Sequence, residues 1–167
     1  MKVALAGQGA FGIRHLEAMQ HIPGIEVISL AGGRPAGTED VARKWQIPHW
    51  TTDLDETLKQ PGLEAVILAS PTQVHAQQAE ACMRAGKHVL IEIPMADSVT
   101  DAECIVEVQQ ETGVVAMAGH VRRFNPSHQW VHKRIKAGEL SIQQMDVQTY
   151  FFRRSNMNAA GDRKSVV

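Results

Sequence analysis

Three glycines in the pattern Gly7-x-Gly9-x-x-Gly12 follow the apolar run Val3-Ala-Leu-Ala6, and a strand that runs into such a turn is a place for a dinucleotide diphosphate. Gly7 permits the tight turn, Gly9 lets the main chain approach phosphate without an intervening Cβ, and Gly12 allows the next helix to pack closely. Gly9, Ala10, Phe11 and Gly12 open that helix, where unpaired N–H donors and the positive end of the helix dipole favour an anion. The adenosine end of the cofactor has its own signal. An NAD-selective site normally ends its second strand on an acid, whereas this chain reads Ala31-Gly32-Gly33-Arg34. A guanidinium pairs with a 2′-phosphate and the two glycines leave room for it, so Arg34 points to NADP, with NAD still possible. The alternative is an ordinary exposed loop arginine.

Further residues offer acid–base and anion-binding chemistry. His120 follows an apolar strand, and imidazole is the side chain whose ordinary titration lies nearest neutrality, which makes it the candidate base. Arg122 and Arg123 suit a small dicarboxylate substrate, since the guanidinium fork holds a carboxylate through two parallel charge-assisted bonds. Either could instead pair with an acid of the protein. His128 and His132 have the i, i+4 spacing of metal ligands, but no third ligand accompanies them, so they read as an exposed polar face and no metal is expected.

These residues must be positioned by regular elements. Phe11, Ile13, Leu16 and Met19 recur at helical intervals, Pro23-Gly24 stops the helix, and Ile25 to Ala31 supplies the second strand of a βαβ unit. Thr38 can cap a helix through about Trp45, and Asp53 a short one over Leu54 to Leu58. Leu63 to Ala69, Lys87 to Ile93 and Val114 to Ala118 are apolar strands, with helices after Thr72, ending at Gly86, and from Ser98 to Gly113. Alternation of this kind predicts an α/β fold, a Rossmann doubly wound parallel sheet, over residues 1–119. From 120 to 167 the texture changes. Pro126 begins a helix closed by Gly138, and Leu140 to Phe152 reads as one long strand, the first helix and strand of a second α+β domain. Such a strand leaves an exposed edge, so a homo-oligomer formed through it is expected.

Composition sets bounds. With 167 residues, 44% hydrophobic, and a formal charge of −1, the chain fits one globular core and implies no nucleic-acid surface. No apolar run approaches the roughly 18 to 20 residues that span a bilayer, and residues 1–20 lack a secretory pattern, so a cytoplasmic protein without a membrane partner is expected. Cys82 and Cys104 read as small core residues rather than a disulfide or zinc set.

Several segments taken together resemble one family. The chain pairs its glycine turn with Ser70-Pro71-Thr72-Gln73-Val74-His75, then Ala85-Gly86-Lys87-His88-Val89, Glu92-Ile93-Pro94 and Gly119-His120-Val121-Arg122-Arg123-Phe124-Asn125-Pro126. This set is similar to the Gfo/Idh/MocA oxidoreductases over residues 1 to about 160. The resemblance implies that Ser70, Pro71 and Thr72 wall the nicotinamide ribose, that Glu92 approaches the same ribose, and that His75 and Ile93 lie on the cofactor side. Thr72 as a mere helix cap and His75 as a satisfied structural histidine are the alternatives. Ile93 stands where the family commonly has a proton-transferring lysine. A hemiacetal hydroxyl is more acidic than a secondary alcohol and asks less of its base, which agrees with a branch of the family that oxidises a hemiacetal in aromatic catabolism. In that reading Glu92 and His120 are the catalytic residues, and Arg122, Arg123 and Asn125 meet the substrate. The resemblance also implies that the chain is a shortened copy whose second domain is incomplete and whose turnover alone is small. The rival readings are a nucleotide-binding protein without turnover and a sugar or polyol dehydrogenase of the same family.

Overall fold

A computed structural model describes residues 1–148 of the chain. The first strand, β1 (Lys2–Ala6), alternates its side chains between two cores, as a pleated strand covered on both faces must. Val3 and Leu5 pack with Leu16, Met19, Leu30, Ala42 and Ile47. Ala4 and Ala6 face the opposite cluster, in which Val66, Leu68, Cys82, Met83, Val89 and Ile91 are also buried. Burying a chain such as Leu5, Leu30 or Leu68 contributes about 1.5–3 kcal/mol each, enough for these strands to specify their register.

The remaining elements follow in alternation: α1 (Ala10–Met19), β2 (Glu26–Ala31), α2 (Pro35–Lys44), β3 (His49–Thr51), α3 (Leu54–Leu58), β4 (Ala65–Leu68), α4 (His75–Arg84), β5 (His88–Ile91), α5 (Val99–Thr112), β6 (Ala116–Ala118) and α6 (Pro126–Lys136). All six strands are parallel and lie in the order β3-β2-β1-β4-β5-β6. This is the doubly wound order of a Rossmann sheet, with the chain reversing direction across the sheet between β1 and β4. The expected α/β fold is therefore the observed one.

The local signals explain most boundaries. Asp53 accepts the amide of Asp55 and starts α3, and Ser98 accepts the amide of Asp101 and starts α5, which ends on Gly113 at φ 67°. Three expectations change. The sheet has a sixth strand, β3, whose three residues are too few to show a period. The second helix starts at Pro35, a first-turn position that suits proline, and Thr38 lies inside it with its hydroxyl donated to the Arg34 carbonyl. The strand expected over 140–152 does not form in its described part: residues 140–148 are irregular, and among the described residues every strand belongs to the six-stranded sheet. Residues 149–152 lie outside the described residues. The homo-oligomer expected through that strand has no support among the described residues.

The chain divides into two compact units, Met1–Arg123 and a second beginning at Phe124. In the second, Asn125 caps α6, and the Arg134 guanidinium stacks over the Trp130 ring at 4.5 Å. Among the described residues no helix is long and apolar enough to cross a membrane.

Candidate cofactor site

In a parallel sheet every strand leaves at the same edge, so residues that directly follow strands are brought together. Gly7 follows β1, Gly32 follows β2, Ser70 lies just beyond β4, Glu92 follows β5, and Gly119 with His120 follows β6. The fold thereby places the residues selected by type along one edge, around the reversal between β1 and β4 where ligands bind in this architecture.

The glycine turn is built from close approaches. Gly7 has φ 109°, and a Cβ there would lie 2.4 Å from the Ala69 carbonyl oxygen; its amide donates to the Ala31 carbonyl at 2.8 Å. A Cβ on Gly12 would fall 1.9 Å from the Gly7 carbonyl oxygen, so helix α1 packs on the turn itself as well as on Leu5. Gly9 differs, because a Cβ there would meet nothing within 4 Å. Gly9 also caps α1 without a side-chain hydrogen bond, which leaves the first-turn amides of Ala10, Phe11 and Gly12 to an outside acceptor. Open space above a bare glycine cap fits a diphosphate. Phe11 is 64% exposed beside it and takes no part in the core, unlike Leu16 and Met19.

At the end of β2 the two glycines act differently. A Cβ on Gly32 would sit 1.9 Å from Thr38 Oγ1, so its space is filled from inside, while Gly33 is open. Arg34 caps α2 and is exposed, and among the described residues no ion pair or hydrogen bond engages its guanidinium. No carboxylate occupies Ala31 to Arg34.

The other end of the edge is held by side chains. Glu92 is buried; His15 Nε2 donates to its Oε1 at 2.8 Å, and the Ile93 amide donates to its Oε2 at 3.3 Å. Gly119 permits this, since a Cβ on it would stand 3.3 Å from Oε1. His75 is buried at the start of α4, with Nδ1 2.8 Å from the Pro94 carbonyl and Nε2 2.8 Å from the Ser70 carbonyl. Both ring nitrogens face main-chain acceptors, so His75 ties the Ser70 and Pro94 segments together and offers no free nitrogen to a ligand. Ser70 Oγ donates to Gln78, and Pro71 precedes a 3₁₀ turn, Thr72–Val74; no side-chain cap bond is made there. Ile93 is 40% exposed and His120 is exposed, both on the ligand edge. Arg122 and Arg123 lie in the 3₁₀ turn Val121–Phe124 and are exposed. Asn125, expected to meet substrate, directs Oδ1 to the amides of Ser127 and His128 as the cap of α6. Among the described residues no cluster could hold a metal. Burial pushes the Cys82 thiol up to about 12, as expected of an inert core cysteine.

Residue typing missed three participants: His15, whose partner is 77 residues away, and Gln8 and Thr38, which carry no motif signal. A groove of about 140 Å³ lined by Leu16, Met19, Gln20, Val27 and Trp45 has none of the motif residues in its wall.

A parallel sheet in this strand order, with an open glycine-capped helix at its reversal, defines an NAD(P)-binding Rossmann domain. The chain belongs to the Gfo/Idh/MocA oxidoreductases: residues 1–120 match that family's NAD-binding Rossmann model, and residues 126–167 match the C-terminal model of bacterial oxidoreductases. It is 56% identical over 165 residues, 99% of its length, to 4-carboxy-2-hydroxymuconate-6-semialdehyde dehydrogenase of Sphingobium sp. strain NBRC 103272 / SYK-6, covering 52% of that protein. It is 31% identical over 141 residues to the NAD⁺-dependent scyllo-inositol 2-dehydrogenase of Bacillus subtilis, covering 84% of this chain and 41% of that one. The crystal structure of scyllo-inositol dehydrogenase from Lactobacillus casei with NAD(H) and scyllo-inositol superimposes with a TM-score of 0.79 at 23% identity, over 83% of this chain and 42% of that one, which supports the fold. The chain thus spans about half the length, or less, of the curated relatives it matches.

Proposed function

We propose that the chain is the nucleotide-binding part of an NADP-dependent dehydrogenase that oxidises the cyclic hemiacetal of 4-carboxy-2-hydroxymuconate-6-semialdehyde to 2-pyrone-4,6-dicarboxylate. The observation that carries this reading is the 56% identity to the semialdehyde dehydrogenase over nearly the whole chain. The NADP preference draws on Arg34, which stands exposed at the cap of α2 where an NAD site would present an acid.

A bound nicotinamide coenzyme supplies the hydride acceptor. The residues of this chain bind, orient and handle the proton. The Gly9 cap and first turn of α1 receive the diphosphate, and the guanidinium of Arg34 meets the 2′-phosphate. In the oxidation the hemiacetal carbon gives up its hydrogen as hydride, the hydroxyl proton passes to a base, and the carbon becomes the lactone carbonyl. Glu92 and His120, which follow the adjoining strands β5 and β6, are the bases we assign. Arg122 or Arg123 pairs with a substrate carboxylate. Ile93 takes no proton, and a hemiacetal hydroxyl tolerates that better than a sugar alcohol does.

The test compares NADP reduction by this chain, expected to be slow, on the semialdehyde, inositol and glucose, with the lactone dicarboxylate identified as the product from the semialdehyde. Greater activity on inositol or glucose than on the semialdehyde would refute the substrate assignment.

A further inference from the structure

We infer that Gln8, the residue between the first two glycines of the turn, is a positioning residue that sets the coenzyme preference by holding the loop that presents Arg34. The inference rests on the NADP reading and adds to it a determinant outside the phosphate-contacting residues.

The Gln8 side chain leaves the diphosphate turn and crosses to the end of β2. Its Oε1 accepts the Gly33 amide at 3.1 Å, and its Nε2 donates to Thr38 Oγ1 at 3.1 Å. Thr38 in turn donates its hydroxyl to the Arg34 carbonyl at 2.7 Å. A primary amide offers an acceptor and a donor together, and both are used here. Thr38 is fully buried. The geometry also assigns a purpose to Gly32, since a Cβ there would lie 1.9 Å from Thr38 Oγ1 and 2.6 Å from Gln8 Oε1. Any side chain at that position would expel the bridge.

Three hydrogen bonds therefore lock Gly33 and the main chain of Arg34, while no ion pair engages the Arg34 guanidinium among the described residues. A loop ordered before binding does not have to be ordered by the ligand, which raises affinity without a new contact. Only a coenzyme with a 2′-phosphate draws on Arg34. Loss of the bridge should fall on NADPH and spare NADH.

The experiment is fluorescence titration of the intact chain with NADPH and with NADH, for wild type, Gln8→Ala, Thr38→Val, Thr38→Ser and Arg34→Ala. We expect Gln8→Ala and Thr38→Val to weaken NADPH about five- to tenfold, the range for losing one or two polar contacts, with NADH changed less than about twofold. Thr38→Ser keeps the hydroxyl and should keep the preference. If Gln8→Ala does not fold, Thr38→Val carries the test, because valine preserves the shape. A loss equal for both coenzymes, or an unchanged ratio in Thr38→Val while Arg34→Ala lowers it, would overturn the role of the bridge. An unchanged ratio in Arg34→Ala would instead overturn the NADP reading, and the inference with it.

Discussion

His15 and Glu92 form a hydrogen-bonded pair, Nε2 to Oε1 at 2.8 Å, that joins the second turn of the diphosphate helix to the end of β5. This contact adds a side-chain tie to the main-chain ladder that already joins β1, β4 and β5. Because Glu92 is buried, removing the histidine leaves a carboxylate oxygen without its donor. His15→Ala should destabilise the fold by about 1–3 kcal/mol in denaturant unfolding, and Glu92→Gln in that background should recover part of the loss. Strictly additive effects would show that the pair is not coupled.

The glycines of the turn separate folding from binding. Gly9→Ala meets open space, so its melting temperature should stay within a few degrees of wild type while NADPH affinity falls by about tenfold or more. Gly12→Ala drives a Cβ into the Gly7 carbonyl and should lower both. Thermal melts and coenzyme titration on the two variants check this; unchanged NADPH affinity in Gly9→Ala would remove the diphosphate from that space.

Much of this arrangement was legible because strand, turn and helix signals agree at the same positions. The glycine turn, the Asp53 and Ser98 caps and the apolar runs of β1, β4 and β5 are local, and each element formed where its own residues direct it. What could not be read depends on partners distant in sequence. His15 gains its meaning from Glu92, and Gln8 from Gly33 and Thr38. Thr38 looked like a helix cap because its hydroxyl suits one, yet Pro35 had already opened the helix and the hydroxyl turned back to Arg34. Alternation over 140–152 suggested a strand, yet its described part, 140–148, is irregular, and among the described residues no second sheet offers it a ladder.

Cys82 links the core to alkaline pH. Its thiol is raised from 9.0 to about 12 by burial, so between those values the folded protein holds a proton that the unfolded chain releases. Its contribution is present in full below about pH 9 and is lost as pH rises toward 12. Cys82→Ala should flatten the fall in stability above pH 9 measured by urea unfolding, whatever it costs at neutral pH. Wild-type Cys104, only partly buried, should react with a thiol reagent before Cys82. Equal reaction rates would contradict this.

The cap of α6 offers a local test. Asn125→Ala removes the acceptor for the Ser127 and His128 amides and should cost about 1 kcal/mol, seen as faster amide exchange in the first turn of α6. Asn125→Asp should preserve the cap. Protection unchanged in Asn125→Ala would show that the side chain does not hold the helix start.

The most direct measurement of the central claim is an amide NMR titration of the chain with NADPH. The Gly9-capped start of α1 and the Gly33–Arg34 loop should shift together and saturate, with the shifts at Arg34 diminished when NADH replaces NADPH. Saturable shifts confined to the groove around Leu16, Val27 and Trp45, or none at the glycine turn, would contradict it.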